Sequence, residues 1–360
     1  MKQVVFGNTT FYQISNIDKM RPFFMTILSS SNHWMFISSN GGLTAGRTSA
    51  DFSLFPYYTE DKIADSAEYT GSKTIIRGKN KAGSYVWEPF STRNQGHFET
   101  QRNLYKSVYG NELIFEEINQ THGLIFRYQW SNAAQYGFVR KATLVNLNTE
   151  DCQIEVLDGL QNILPAGVGS NLQNFYSNLV DAYKQSELVV PSGLGIYALS
   201  AIIVDRAEPS EALKANTVWS FGLRNPINLL SNFQLESFRN GMTILPEIEN
   251  KGEKGAYFIC ETLTLPANNA KEWYMVADVH KNHSEVIHLI EALKQPDRLI
   301  KGVLANVMEG TKNLLKLACN ADGLQTTSDP LKDSRHFSNV LFNIRSEERR
   351  VGKECRSRWS

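Results

Sequence analysis

The sequence predicts a mainly β fold, a large antiparallel sandwich followed by a helical segment. Three observations predict it. Up to about residue 280, runs of four to eight β-branched and aromatic residues alternate with Gly, Asn, Ser and Pro clusters. Cys152, Ile154 and Val156 alternate with Gln153 and Glu155, the period of two of a half-buried strand. Beyond residue 280 the apolar spacing becomes helical. With 360 residues, 42% of them hydrophobic, the chain can bury a sizeable core.

Phe23–Leu28, Trp34–Ile37, Leu113–Phe115, Leu124–Tyr128 and Tyr257–Cys260 read as strands, and many short strands so spaced favour a sandwich. Asp158-Gly159 and Pro165-Ala166-Gly167 read as punctuation between strands. One interruption reads as a helix, with Leu172, Phe175, Tyr176, Leu179, Val180 and Tyr183 on one face. After it, Asn282 with Glu285 makes a capping box, and Val286, Ile287, Leu289, Ile290 and Leu293 mark a helical face. Pro296-Asp297 restarts the pattern, Leu299 to Ala318 carry a second apolar stripe, and Asn320 to Gly323 signal a stop. The expected organisation is a sandwich over 1–280 and a helical linker over 281–325.

Charge excludes some partners. Lys and Arg number 37 and Asp and Glu 37, so neither nucleic acid nor an anionic membrane is expected as the main partner. No run of about 18 apolar residues suits a membrane span, and Met1–Phe6 lack a signal-peptide core. Cys152, Cys260, Cys319 and Cys355 are scattered, which fits reduced thiols and a cytoplasmic location.

Residues 345–360 change character. They resemble the translation of a short-read sequencing adapter joined in frame, and are set aside from fold reasoning. The alternative is a native basic tail that binds an anionic partner. Removing their six basic and three acidic residues from totals of 37 and 37 leaves 31 and 34. Val340–Ile344 runs into that junction with no stop signal, so a natural continuation is expected.

Chemistry is sparse. There is no G-x-x-x-x-G-K-[ST] and no G-x-S-x-G, and Gly193-Leu194-Gly195 does not continue as a dinucleotide fingerprint. His280, His283 and His288 cluster in sequence, but positions 283 and 288 splay on a helix, so no metal site is expected. The informative stretch is Ser38–Lys62, a Gly-rich turn, a polar segment with Arg47 and Asp51, then an aromatic segment. Trp87-Glu88-Pro89-Phe90 has similar content. Sugars are held by flat aromatic faces and planar polar groups, and these stretches offer both. The competing reading is a hairpin with aromatic core residues and an internal Arg47–Asp51 ion pair.

The Gly41–Arg47 loop, Leu54–Tyr58 with Asp61-Lys62-Ile63, Val156–Pro165 and Arg335–Asn343 resemble the N-terminal half of large bacterial proteins related to cellobiose phosphorylase. The resemblance spans nearly residues 1–344. It implies a galactose-mutarotase-like β-supersandwich, a helical linker, and an (α/α)6 catalytic barrel of which only 326–344 would be the start. In that family the general acid and the phosphate-binding residues sit in the barrel, and inorganic phosphate attacks the anomeric carbon in place of an activated water. The resemblance therefore implies no catalytic residue here, no cofactor beyond phosphate as co-substrate, an oligosaccharide partner, and docking on the chain's own barrel in a parent homodimer. Asp51, Asp61 and Asp158 are explained as turn residues or ion-pair partners. Arg47, Tyr57 and Trp87 are the expected carbohydrate-binding residues. Exposed apolar surface is expected on the 286–318 helices and near 337–344.

Two other readings compete. A self-sufficient sugar-binding or aldose mutarotase-like protein would need a paired base and acid, His97 or His122 with Glu88 or Glu117. A domain without ligand would bury the named aromatics and show no groove.

Overall fold

The computed structural model describes residues 2–341 except 81, 82, 94, 176, 202–213, 321–323 and 325–326. The tail over 345–360 and the junction after Leu341 lie outside the described residues. Among the described residues the strands form three antiparallel sheets, of eleven, five and four strands. The largest runs in the order Lys2–Phe6, Thr9–Ser15, Thr100–Ser107, Leu113–Asn119, Leu124–Ala133, Gly137–Asn146, Ala270–Asn282, Lys214–Phe221, Leu194–Leu199, Lys184–Val189 and Glu249–Lys251. The five-stranded sheet runs Ile227–Leu229, Gly255–Leu265, Cys152–Ile163, Gly71–Asn80 and Gly83–Trp87. The fold is thus mainly β, a sandwich followed by helices.

Strand alternation sorts the residues into layers. Phe126, Tyr128, Trp130, Trp273, Met275 and Ala277 of the large sheet face Ile76, Val156, Leu160, Tyr257 and Ile259 of the smaller one and form the main core. The four-stranded sheet, Phe24–Thr26, His33–Ser38, Leu43–Arg47 and Ser53–Phe55, adds Met35, Ile37, Leu43 and Phe55 to that core. On the other side of the large sheet, Ala133, Val139, Trp219 and Val276 pack under Leu299 and Val303. On the other side of the five-stranded sheet, Ile75, Leu157, Phe258 and Cys260 pack under Leu235 and Phe238 of the short helix Leu235–Arg239.

Asp158-Gly159 is not a turn. Both residues lie inside the strand Cys152–Ile163. Asp158 points inward, fully buried, and accepts from Arg140 at 2.7 and 2.9 Å, Thr74 Oγ1 at 2.6 Å and Trp273 Nε1 at 2.6 Å. Burial of a carboxyl at that depth is offset by its pairing with Arg140 and by donors aimed at both oxygens. Gly159 is required by space, since a Cβ there would meet Tyr257 O at 2.2 Å.

The helix read over 172–183 is two short pieces, Ser170–Phe175 and Ser177–Asp181. Val180 is buried, whereas Phe175 and Leu179 are exposed, so the six residues do not share one buried face. Tyr176 lies outside the described residues.

The capping box at Asn282 and Glu285 is formed, and it starts the helix His283–Leu293 as the chain leaves the sheet. The helix Pro296–Asn320 follows and lies on the outer face of the large sheet. Asn306 Oδ1 accepts from the Gln135 amide at 3.0 Å, and Asn111 Nδ2 donates to Thr311 at 2.8 Å. Ile287, Leu304 and Met308 stay exposed on the outward side. Phe337 and Leu341, by contrast, are buried against Leu314 and Ala318, because the helix over 330–341 folds back onto the long one. The apolar surface expected near 337 is therefore covered within the chain, and residues 342–344 lie outside the described ones. No helix among the described residues is long and apolar enough to cross a membrane.

Candidate functional site

The two stretches with sugar-type content meet in space. Ser39 and Asn40, from the Gly-rich turn, and Trp87, Glu88 and Phe90 to Thr92 line one cleft of about 340 Å³, with Phe98, Arg102 and Glu117. Its frame is set by two adjacent acids on the strand Leu113–Asn119. Alternation sends Glu116 and Glu117 to opposite faces of the sheet. Glu116 pairs with Arg127 at 2.6 Å and accepts from Tyr105 and Asn103. Glu117 turns into the sandwich and is 1% exposed. It accepts from Trp87 Nε1 at 2.7 Å, from the Phe90 amide at 2.6 Å and from Arg102 Nε at 2.6 Å. Arg102 also donates to Ser91 O at 2.9 Å.

That grip explains an unusual backbone. Phe90 has φ +65°, a left-handed conformation that bulky side chains avoid. Its amide is held by Glu117, and its ring packs on Tyr128 at 5.1 Å and Phe115 at 6.1 Å. Strain of this kind persists where the surroundings over-determine it. Here it turns Ser91 and Thr92 over the cleft.

A second charge network anchors the same turn. Glu88, 2% exposed, accepts from Arg239 at 2.5 and 3.0 Å and pairs with Lys73 at 3.0 Å. Burial opposes its ionisation, but Arg239 and Lys73 outweigh that and lower its pKa. Glu68 receives Lys73 at 2.8 Å and the Thr92 amide at 2.6 Å. Burial again pushes upward, and Lys73 with Thr92 brings the carboxyl down to about 2.

Glu68, Glu88 and Glu117 are thus committed to cations and amides and hold shape, whereas Asp18, also in the cleft lining, is exposed. What the cleft offers a ligand is the amide of Gln95, the outer edge of Arg102 and the rings of Phe90 and Phe98, while Asn40 Nδ2 already donates to Ala64 O at 2.8 Å and Thr92 Oγ1 to Glu68 at 3.1 Å, leaving their oxygens to accept.

The sequence-predicted residues are not brought together. Trp87 borders the cleft floor but is fully buried, so no face of its ring is open to stack on a sugar. Arg47 is committed to Asp278 at 2.8 and 3.0 Å, to Ala134 O and to Asn32 Oδ1, tying the four-stranded sheet to the end of the strand Ala270–Asn282. Asp51 accepts from the Ser170 amide at 3.2 Å instead of pairing with Arg47. Tyr57 is 39% exposed and packs edge-on against Trp34 at 5.5 Å, away from the cleft. His122 stacks on Tyr85 at 3.7 Å, His97 is exposed just before Phe98, and Glu88 and Glu117 are committed elsewhere, so neither histidine forms with them the acid–base pair a mutarotase needs. Thr92, Gln95, Phe98 and Arg102 were missed. The usable signal was the Glu116-Glu117 doublet within an apolar strand, since buried carboxylates demand cationic partners nearby.

No protein-family profile matches the sequence, and no curated protein matches it. Solved structures similar to the chain include a bacterial glucoamylase complexed with acarbose, at a TM-score of 0.45 and 10% identity, covering 87% of this chain and 41% of that one. A polysaccharide lyase gives 0.40 and 10%, covering 76% and 34%. A protein described as a kojibiose phosphorylase from the human microbiome gives 0.35 and 11%, covering 92% and 32%. The chain spans less than half the length of each of these three. Likenesses this distant assign neither substrate nor site.

Proposed function

We propose that the chain is the sugar-facing β-sandwich and helical connector of a carbohydrate-active enzyme, a glycoside phosphorylase or hydrolase. Its catalytic barrel would follow residue 344. The observation that carries this reading is the convergence of Ser39-Asn40, Trp87-Glu88 and Phe90–Thr92 on one cleft with Phe98. The sequence resemblance to cellobiose phosphorylase-related proteins supports it. So does the outward apolar row of Ile287, Leu304 and Met308, at 45%, 37% and 62% exposure, on the connector where a barrel would dock.

In this reading an acid of the barrel protonates the glycosidic oxygen while phosphate, or water in a hydrolase, attacks the anomeric carbon. The sandwich contributes binding and shape. Phe90 covers the apolar face of a ring, and Asn40, Gln95 and Thr92 meet its hydroxyls. Phosphate is a co-substrate, no resident cofactor is involved, and the parent works in the cytoplasm as a homodimer. Arg47 then acts on the fold, through Asp278.

The test is turnover of β-linked disaccharides with and without phosphate. The chain alone is expected to give none, and the product of the same gene read past codon 344 to give it. Appreciable turnover by the chain alone would contradict the reading.

A further inference from the structure

A second and larger cleft, about 600 Å³, opens on the outer face of the five-stranded sheet, on the side away from the helical connector. The strand register explains why it is there. Ile75, Leu157 and Cys260 are cross-strand neighbours, and they are covered by Leu235 and Phe238. One row further along the same face, Arg77, Glu155 and Thr262 are the neighbours, and the covering helix has ended at Arg239. The face changes from apolar to polar at that row. The turn Asn240-Gly241 forms a wall, and the lining also takes in Lys79, Ser84 and Gln153 with the partly buried Tyr85 and Val86.

The floor is preorganised. Arg77 Nη1 donates to Phe238 O at 2.7 Å, the guanidinium lies 4.3 Å from the centroid of the Phe238 ring, and Nη2 is bonded to Glu155. Arg239 is fixed by Glu88. Both guanidinium charges are thus matched by carboxylates, and the further lining cation, Lys79, is exposed to solvent at the rim. The remaining groups, amides of Gln153 and Asn240 and hydroxyls of Ser84 and Thr262, each donate and accept. Sugar hydroxyls do the same. A densely anionic ligand would meet Glu155, and an apolar one would strand these groups without partners. The volume lies in the ordinary range for small-ligand sites.

We infer that this outer cleft is a second saccharide site, which takes a neutral oligosaccharide segment and is separated from the cleft at Phe90 by the Arg239–Glu88 pair. The ligand class rests on the carbohydrate reading above; the location rests on the cleft itself.

The test titrates the full chain with cellotriose, maltotriose and a uronic-acid trisaccharide, following stoichiometry calorimetrically and residue shifts by NMR. Thr262→Trp fills the outer cleft from an exposed position, and Asn40→Trp fills the other. Melting curves check that both variants fold. The inference predicts two sites for a neutral trisaccharide, with T262W weakening one at least tenfold and N40W leaving that one intact. If T262W leaves binding unchanged while N40W abolishes it, the inference falls and the carbohydrate reading stands. If N40W changes nothing and T262W removes all binding, the outer site stands and the cleft at Phe90 loses its role. No binding of any neutral trisaccharide, or tighter binding of the uronic one in the outer cleft, overturns the inference.

Discussion

Glu117→Gln is the most informative single change. The carboxylate is buried and takes three donors, from Trp87, Phe90 and Arg102, at 2.6 to 2.7 Å. Glutamine offers one acceptor oxygen and puts an NH2 where a second donor already points. Removing one partner of a buried pair costs about 3–5 kcal/mol. Arg102 is 23% exposed and can reach water, which favours the lower end, roughly 3 kcal/mol. The left-handed Phe90, of order 1–3 kcal/mol in strain, also loses the bond that holds it. At about 2–4 °C per kcal/mol for a domain of 150–250 residues, melting should fall by roughly 6–12 °C. The assay is urea and thermal unfolding of Glu117→Gln, Arg102→Met and the double variant. The double should lose less than the two singles together, with a coupling of about 1 kcal/mol or more. A loss under about 1 kcal/mol in Glu117→Gln, or strict additivity, would refute the argument that this carboxylate frames the cleft.

Other outcomes follow from the same geometry. Glu68 has a folded pKa of about 2 against an ordinary 4.5, so its contribution is complete above about pH 4.5 and is lost as pH falls toward 2; Glu68→Gln should flatten the fall in melting temperature across that window. Gly159→Ala should unfold or strongly destabilise the chain, because its Cβ would sit 2.2 Å from a backbone oxygen, while Gly310→Ala in the long helix meets nothing closer than 3.6 Å and should stabilise by about 0.5–1 kcal/mol; calorimetry compares them. Arg140→Met leaves Asp158 buried without its cation and should cost about 3–5 kcal/mol in urea unfolding, partly recovered by Asp158→Asn in the same chain.

Much of the fold was legible because periodicity is a local signal. The alternation at 152–156 and the capping box at 282–285 need only neighbours in sequence, and both are formed. Asp158-Gly159 misled because composition cannot tell a turn from a buried acid beside a glycine demanded by close strand contact. The 172–183 face misled because apolar spacing does not say which residues find a surface to cover. The site was half legible. Aromatic and polar content marked the right stretches, and Asn40 and Phe90 came from them. Which aromatic is open was hidden, because burial of Trp87 is decided by Glu117, thirty residues away and on another sheet. Arg47 was read against Asp51, four residues on, yet its partner Asp278 is 231 residues distant. Such pairings are set by topology and leave no trace in local spacing.

The central claim, that the cleft at Phe90 faces sugar, is tested most directly by titrating a neutral trisaccharide into the wild-type chain and into a Gln95→Ala, Thr92→Ala double variant. Both side chains are exposed, so folding should be spared. The account predicts saturable binding in the wild type, with NMR shifts at Asn40 and Phe98, and at least a tenfold weaker Kd for that site in the double variant. Wild-type chain that leaves those two residues unshifted at saturating sugar would contradict it.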